Sequence, residues 1–153
     1  MATEAPYLET GGAALPKDMV PEFSRAARGI ELWAALHSLG GEGIAALAEE
    51  CCAHSRAFAD GLEAQGVEVL NDVCLNQVVA TLPGHENRMA ALAIRVQQSG
   101  EAWFGPTAWQ GREGFRISVS SWATTQADVQ RTLAAIATAL TEICDGTYSS
   151  VMK

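Results

Sequence analysis

Glycine and proline cut this chain of 153 residues into short segments, and that punctuation limits its fold more than any other feature. Breaks stand at Gly40, Gly41 and Gly43, at Gln65-Gly66, at Pro83-Gly84, at Gly100 and at Gly111. Between them the spacing of apolar residues switches between two periods. From Glu22 to Leu39, Phe23, Ala26, Ala27, Ile30, Trp33 and Ala34 follow helical spacing, and Leu32, Ala35 and Leu36 widen the apolar surface beyond one stripe. That helix calls for cover on several sides. After the glycines, Ile44, Leu47, Ala48, Cys51, Phe58, Ala59 and Leu62 share one face of a second helix. Val67 to Leu70 and Gln77 to Leu82 read as short strands about the turn residues Asn71 and Asp72. A third helix is predicted from His85 to Gln98, then a strand pair, Ala102 to Trp109 and Gly114 to Ser120, joined around Gly111. Thr125 and Asp128 have the spacing of a capping box, opening a last helix that carries Val129, Leu133, Ile136, Ala137, Leu140 and Ile143 on one face.

Helix, helix, strand, strand, helix, strand, strand, helix is the order of an α+β layer: an antiparallel sheet of about four strands covered by helices on one side. A 48% apolar and 18% charged composition can fill such a core. Residues 1–21, with Gly11, Gly12, Pro16 and Pro21 and no apolar period, read as a mobile arm before a domain at 22–146 and a tail at 147–153. The net charge of −8 leaves no basic stripe to neutralise phosphates, which argues against nucleic acid and against anionic membrane surfaces. The apolar runs are too short and broken to span a bilayer, and the start of the chain lacks the basic and apolar regions of a secretory signal. A soluble, cytoplasmic protein is expected.

Few residues carry an obvious chemistry. Cys51, Cys52, Cys74 and Cys144 form no C-x-x-C pair and read as buried free thiols. His37, His54 and His85 are scattered without the i, i+4 spacing of a metal helix, and no G-x-S-x-G elbow is present, so no metal is expected. The glycine cluster at 40–43 contains Glu42 and lacks the phosphate-loop pattern, so a helix–helix turn is the reading there. Trp103, Phe104, Trp109, Phe115 and Trp122 read as core and interface packing. In the strand around Arg116, Phe115, Ile117 and Val119 point one way and Arg116, Ser118 and Ser120 the other. A guanidinium on a rigid strand can grip a carboxylate through two parallel hydrogen bonds, or simply be solvated, and spacing does not choose between the two.

Three segments carry a resemblance: PEFSRAARGIELWAALHSLG, VEVLNDVCLNQVVATL and WFGPTAWQGREGFRISVSSWATTQADV. In this order and spacing they resemble the C-terminal part of the pyridoxal-phosphate-dependent group II amino-acid decarboxylases, over about Tyr7 to Leu140. The resemblance implies the small C-terminal domain of the aspartate-aminotransferase-like, fold type I enzymes, with the loop and linking helix before it. It implies a carboxy-lyase that uses pyridoxal 5'-phosphate on an L-amino acid and works as a homodimer, with a large cofactor-binding domain that this sequence does not contain. Tyr7 matches the tyrosine that opens the family's catalytic loop and donates a proton to the substrate Cα. Ser24 and Arg25 match the start of the S-R-x-A-R segment bordering the substrate pocket, with Ala26 at x and Arg28 kept. Arg116 matches the arginine that holds the substrate carboxylate in aminotransferases of the same broad fold.

The family's cofactor lysine follows a histidine. Lys17 and Lys153, the only lysines here, do not, and neither context offers the burial that lowers an amine pKa. No cofactor-binding residue is therefore assigned, and the chain alone is expected to be inactive. Two other readings stand beside this one: an independent α+β module that binds a small molecule or assembles with another chain, and the small domain of another fold type I enzyme such as an aminotransferase.

Overall fold

The computed structural model describes residues 27–144. The chain divides into two compact units, residues 1–40 and 41–153. The helical run α1 (Arg28–Glu63) crosses that division and is broken at Gly40, whose φ of 63° and ψ of −177° lie outside helical geometry. Positive φ costs little for glycine and is unfavourable for any residue with a Cβ, so the break falls on a glycine. Gly41 and Gly43, expected to share in it, are helical instead.

In the first unit the described part is a helix from Arg28 to the break at Gly40, with its apolar side chains in solvent. Ile30, Leu32, Trp33, Leu36 and Leu39 are exposed, and the Trp33 and His37 rings stack one turn apart at 5.0 Å.

The second unit contains the remainder of α1, β1 (Glu68–Val69), β2 (Gln77–Thr81), a 3₁₀ turn (Glu86–Arg88), α2 (Met89–Ser99), β3 (Gly105–Trp109), β4 (Arg112–Ser118) and α3 (Gln126–Cys144). The strands form one antiparallel sheet in the order β1-β2-β4-β3. This is the α+β architecture read from the sequence. The β3–β4 connection is two residues, Gln110 at φ 50° and Gly111 at φ 81°, the positive-φ pair that matches the twist of a tight hairpin. Beyond β2, Asn76 and Val119 exchange hydrogen bonds, with Val119 N–H donating to the Asn76 carbonyl at 2.9 Å and Asn76 Nδ2 donating to the Val119 carbonyl at 2.8 Å.

Val78, Ala80, Phe115 and Ile117 on the inner sheet face join one core with Phe58 and Leu62 of α1, Met89, Leu92 and Val96 of α2, and Val129, Ile136 and Ile143 of α3. Phe104 packs on Phe115 with ring centroids 5.1 Å apart. Burying side chains of this size contributes roughly 1.5–3 kcal/mol each, which makes this face the main source of the unit's stability. At Gly61 a Cβ would lie 2.3 Å from Leu133 Cδ1, so glycine lets α1 approach α3 closely. Helix ends are tied across the layer: Thr125 caps α3, its N–H donating to Asp128 Oδ2 at 2.8 Å, and Arg88 donates to the Ile143 carbonyl at the other end of α3.

Three local expectations change. β3 starts at Gly105 rather than Ala102, and β4 starts earlier, at Arg112, because the hairpin pairs Trp109 with Arg112 across the two-residue turn. Of the four cysteines only Cys51 is buried, whereas Cys74 in the β1–β2 connection and Cys144 at the end of α3 are exposed. Of the five aromatic residues read as core and interface packing, Phe104 and Phe115 lie in the core, while Trp103, Trp109 and Trp122 are exposed and do not.

Candidate functional site

Among the described residues of the second unit, the helices share a core with the sheet face that carries Val78, Ala80, Phe115 and Ile117, and the alternate positions carry their side chains to the other face. The register places Val79, Arg116 and Gly105 in one row across β2, β4 and β3, with Gln77 and Ser118 on one side of it and Gly114 and Thr107 on the other. Burial alternates over the second half of β4: Phe115 and Ile117 are buried, Arg116 and Ser118 exposed. Val79 is 5% exposed yet lies outside the core cluster, as expected for an apolar residue on the outer face.

Two arginines occupy this face. Arg112 is held: its guanidinium donates to both carboxylate oxygens of Glu68 at 2.7 Å, and Glu86 approaches within 3.6 Å. Hydrogen bonding to Arg112 lowers the Glu68 carboxyl below its ordinary range and raises the Arg112 guanidinium. Glu86 is also lowered, first by backbone N–H groups at its own residue and Gly84. The Arg116 side chain has no hydrogen bond or ion pair among the described residues. It borders an open hollow of about 390 Å³ lined by Trp103, Phe104, Gly105, Pro106, Thr107 and Ser118.

Gly105 shapes that hollow. It stands directly opposite Arg116, and a Cβ built on it would meet nothing within 4 Å. The space is therefore open because a side chain is missing on the neighbouring strand. Trp103, 84% exposed, stands two residues before Gly105 and supplies an indole at the rim. The hollow offers a delocalised cation, two hydroxyls and an aromatic surface, a set suited to an anion attached to a flat apolar group.

Arg116 is thus placed on a rigid strand and unpaired among the described residues. Tyr7, Ser24 and Arg25 lie outside the described residues. Sequence reasoning had marked Ser118 as outward-facing without assigning it to a site, and had placed Trp103 in packing. The contribution of Gly105 depends on the β3–β4 register, which is fixed by the Gln110-Gly111 turn. A two-residue turn at that point was the signal that could have found it.

No family model matches the sequence, and no curated protein is detectably similar to it. Solved structures do match in fold. TDC from Oryza sativa with PLP and tryptamine aligns at a TM-score of 0.73 and 21% identity, covering 93% of this chain and 32% of that one. Catharanthus roseus tryptophan decarboxylase in complex with L-tryptophan aligns at 0.69 and 19%, covering 76% and 26%. Rhodiola rosea 4-hydroxyphenylacetaldehyde synthase aligns at 0.70 and 20%, covering 83% and 29%. The chain spans about a third or less of the length of these structures. At such identities the likeness is one of fold: a four-stranded antiparallel sheet with helices, as in a domain of pyridoxal-phosphate decarboxylases.

These neighbours raise the question of whether the residues present suit pyridoxal phosphate. They do not suit a covalently held cofactor. An imine needs a primary amine, and the described residues contain no lysine. Arg116, Thr107 and Ser118 can receive an anion but cannot form that bond. No helix of the described residues is long and apolar enough to cross a membrane.

Proposed function

We propose that this chain is the small-domain part of a pyridoxal-phosphate-dependent amino-acid decarboxylase, a carboxy-lyase acting on an L-amino acid. The observation that carries the reading is the fold match over 93% of the chain to about a third of a longer structure. The order of the three sequence segments supports the same family. In this reading the domain at 22–146 includes the linking helix, and residues 1–21 supply the catalytic loop. The exposed apolar residues Ile30, Leu32, Trp33, Leu36 and Leu39 then have a use, as a surface that a large cofactor-binding domain would cover. A homodimer in the cytoplasm and a fold type I ancestry belong to the same proposal.

Within the assembled enzyme the cofactor would supply the electron sink for carbon dioxide loss. This chain would contribute orientation. Arg116 would hold an anionic group at the sheet face, Ser24 and Arg25 would border the substrate pocket, and Tyr7 would serve as proton donor. The roles of Tyr7, Ser24 and Arg25 rest on the sequence motifs alone. Because the Rhodiola neighbour is an aldehyde synthase and the Catharanthus one a decarboxylase, the fold by itself does not choose the reaction.

The test is reconstitution. The purified chain is mixed with the polypeptide encoded immediately upstream, and cofactor absorbance and carbon dioxide release are followed over a panel of L-amino acids. Gain of both signals in the mixture, with neither in the lone chain, is the expected result. A lone chain that is a well-folded monomer, with no combination that binds cofactor, would overturn the reading in favour of an independent binding module.

A further inference from the structure

We infer that Pro106 and Gln97 close the free edge of β3 to strand addition, and that without them this edge would pair with a second copy of the chain. The inference is independent of the decarboxylase reading.

The strand order β1-β2-β4-β3 leaves β1 and β3 with one unpaired side each. Such an edge is a row of backbone donors and acceptors ready to pair with another chain unless something interrupts it. Which groups of β3 point outward follows from its hairpin. The two-residue turn makes Trp109 and Arg112 a hydrogen-bonded pair, and antiparallel ladders alternate, so Thr107 bonds Gly114 and Gly105 bonds Arg116. Phe104, Pro106 and Ala108 therefore turn their backbone groups to the free edge.

Two of these three positions are blocked. The Phe104 carbonyl is taken by α2, where Gln97 Nε2 donates to it at 2.7 Å. A carbonyl facing β4 would be taken up by the ladder instead, so this bond agrees with the alternation. Pro106 has no N–H to give, and its ring stands where a donor would meet an incoming strand. Among the described residues only Ala108 keeps both an outward N–H and an outward carbonyl on this edge. An antiparallel, two-fold pairing of β3 with its copy, centred on Pro106, would set proline against proline with no donor on either side, and Phe104 against Ala108.

The opposite edge is closed differently. β1 is two residues long, and beside it the Val67 N–H donates to the Leu62 carbonyl of α1 at 3.1 Å. β3, with five residues, is long enough to template a strand, so individual side chains decide its behaviour.

The experiment uses the full chain and the double variant Gln97→Ala/Pro106→Val, which frees the Phe104 carbonyl and restores the missing donor. Sedimentation velocity over a concentration series reads self-association, and amide hydrogen exchange reads the Ala108 N–H. The double variant should self-associate about tenfold or more tightly than the parent, through hydrogen bonds that the parent edge does not make. Its Ala108 N–H should gain protection as the concentration rises. Adding Ala108→Pro, which removes the last outward donor without touching the β3–β4 ladder, should return association to the parent level. Unchanged association in the double variant, or association that survives Ala108→Pro, would overturn the inference. If the variants fail to fold, the parent decides: its Ala108 N–H should exchange fast beside a protected Thr107 N–H, and a protected Ala108 N–H at low concentration would equally overturn it. Cofactor binding on reconstitution is untouched by any of these outcomes.

Discussion

Arg112 and Arg116 lie four residues apart on the same face of β4, yet one is closed into an ion cluster and the other opens onto a hollow. The difference comes from the strands beside them. Next to Arg112, β1 brings Glu68 alongside and the 3₁₀ turn brings Glu86. Next to Arg116, β2 offers Val79 and β3 offers Gly105, neither of which carries a charge. Identical residues on one strand are therefore paired or left open according to the residues that flank them. The two glycines of this face repeat the contrast. A Cβ on Gly114 would sit 2.5 Å from the Ala80 carbonyl oxygen, whereas one on Gly105 would meet nothing.

Several substitutions can break or sharpen this comparison. The largest effect is expected at Gly114, between the two arginines. Gly114→Val drives a side chain into the backbone of β2 and should cost about 1–3 kcal/mol by urea unfolding, the usual range for overpacking. Gly105→Ala, in open space, should stay within about 0.5 kcal/mol of the parent. Equal losses at the two glycines would mean that the hollow is not open in solution.

A smaller effect is expected from the arginines themselves. Arg112→Ala leaves Glu68 and Glu86 facing one another without their cation and should lower the thermal midpoint at low salt. Added salt should shrink that loss, because these groups are solvent-exposed and screened. Arg116→Ala should leave the midpoint in place at any salt concentration.

The smallest effect is in the acid limb. Glu68 is held below its ordinary value of 4.5 chiefly by the Arg112 hydrogen bond, and Glu142 below the same value by that of Arg95. Asp128 is held below 3.8, first by its side-chain hydrogen bond with Thr125. A carboxyl more acidic in the folded than in the unfolded chain adds stability that is complete above the unfolded value and is lost as pH falls through the folded one. Unfolding midpoints should therefore drop below about pH 4.5. Arg112→Ala should flatten part of that drop, and Arg116→Ala should reproduce the parent curve.

Much of this face was legible in the sequence because a strand has a two-residue side-chain period. The run Phe115, Arg116, Ile117, Ser118, Val119 states which residues face the core with no tertiary information. The order of elements and the Thr125–Asp128 cap were legible for similar reasons: each is written within a few neighbouring positions. That β2 sets Val79 beside Arg116 was not legible, since strand order β1-β2-β4-β3 joins residues far apart in sequence. The same limit hid the partners of Arg112, with Glu68 44 residues away. Cys74 and Cys144 went astray because residue type alone favours burial, while their places in a connection and at a helix end put them in solvent.

The exposure of the tryptophans has an optical consequence. All four tryptophans, Trp33, Trp103, Trp109 and Trp122, are exposed in the folded chain. Their emission should already lie near the wavelength of indole in water, and unfolding should shift it little. A blue shift would instead report that something has come to rest on Trp33, Trp103 or Trp122, which makes intrinsic fluorescence a detector of docking in this protein.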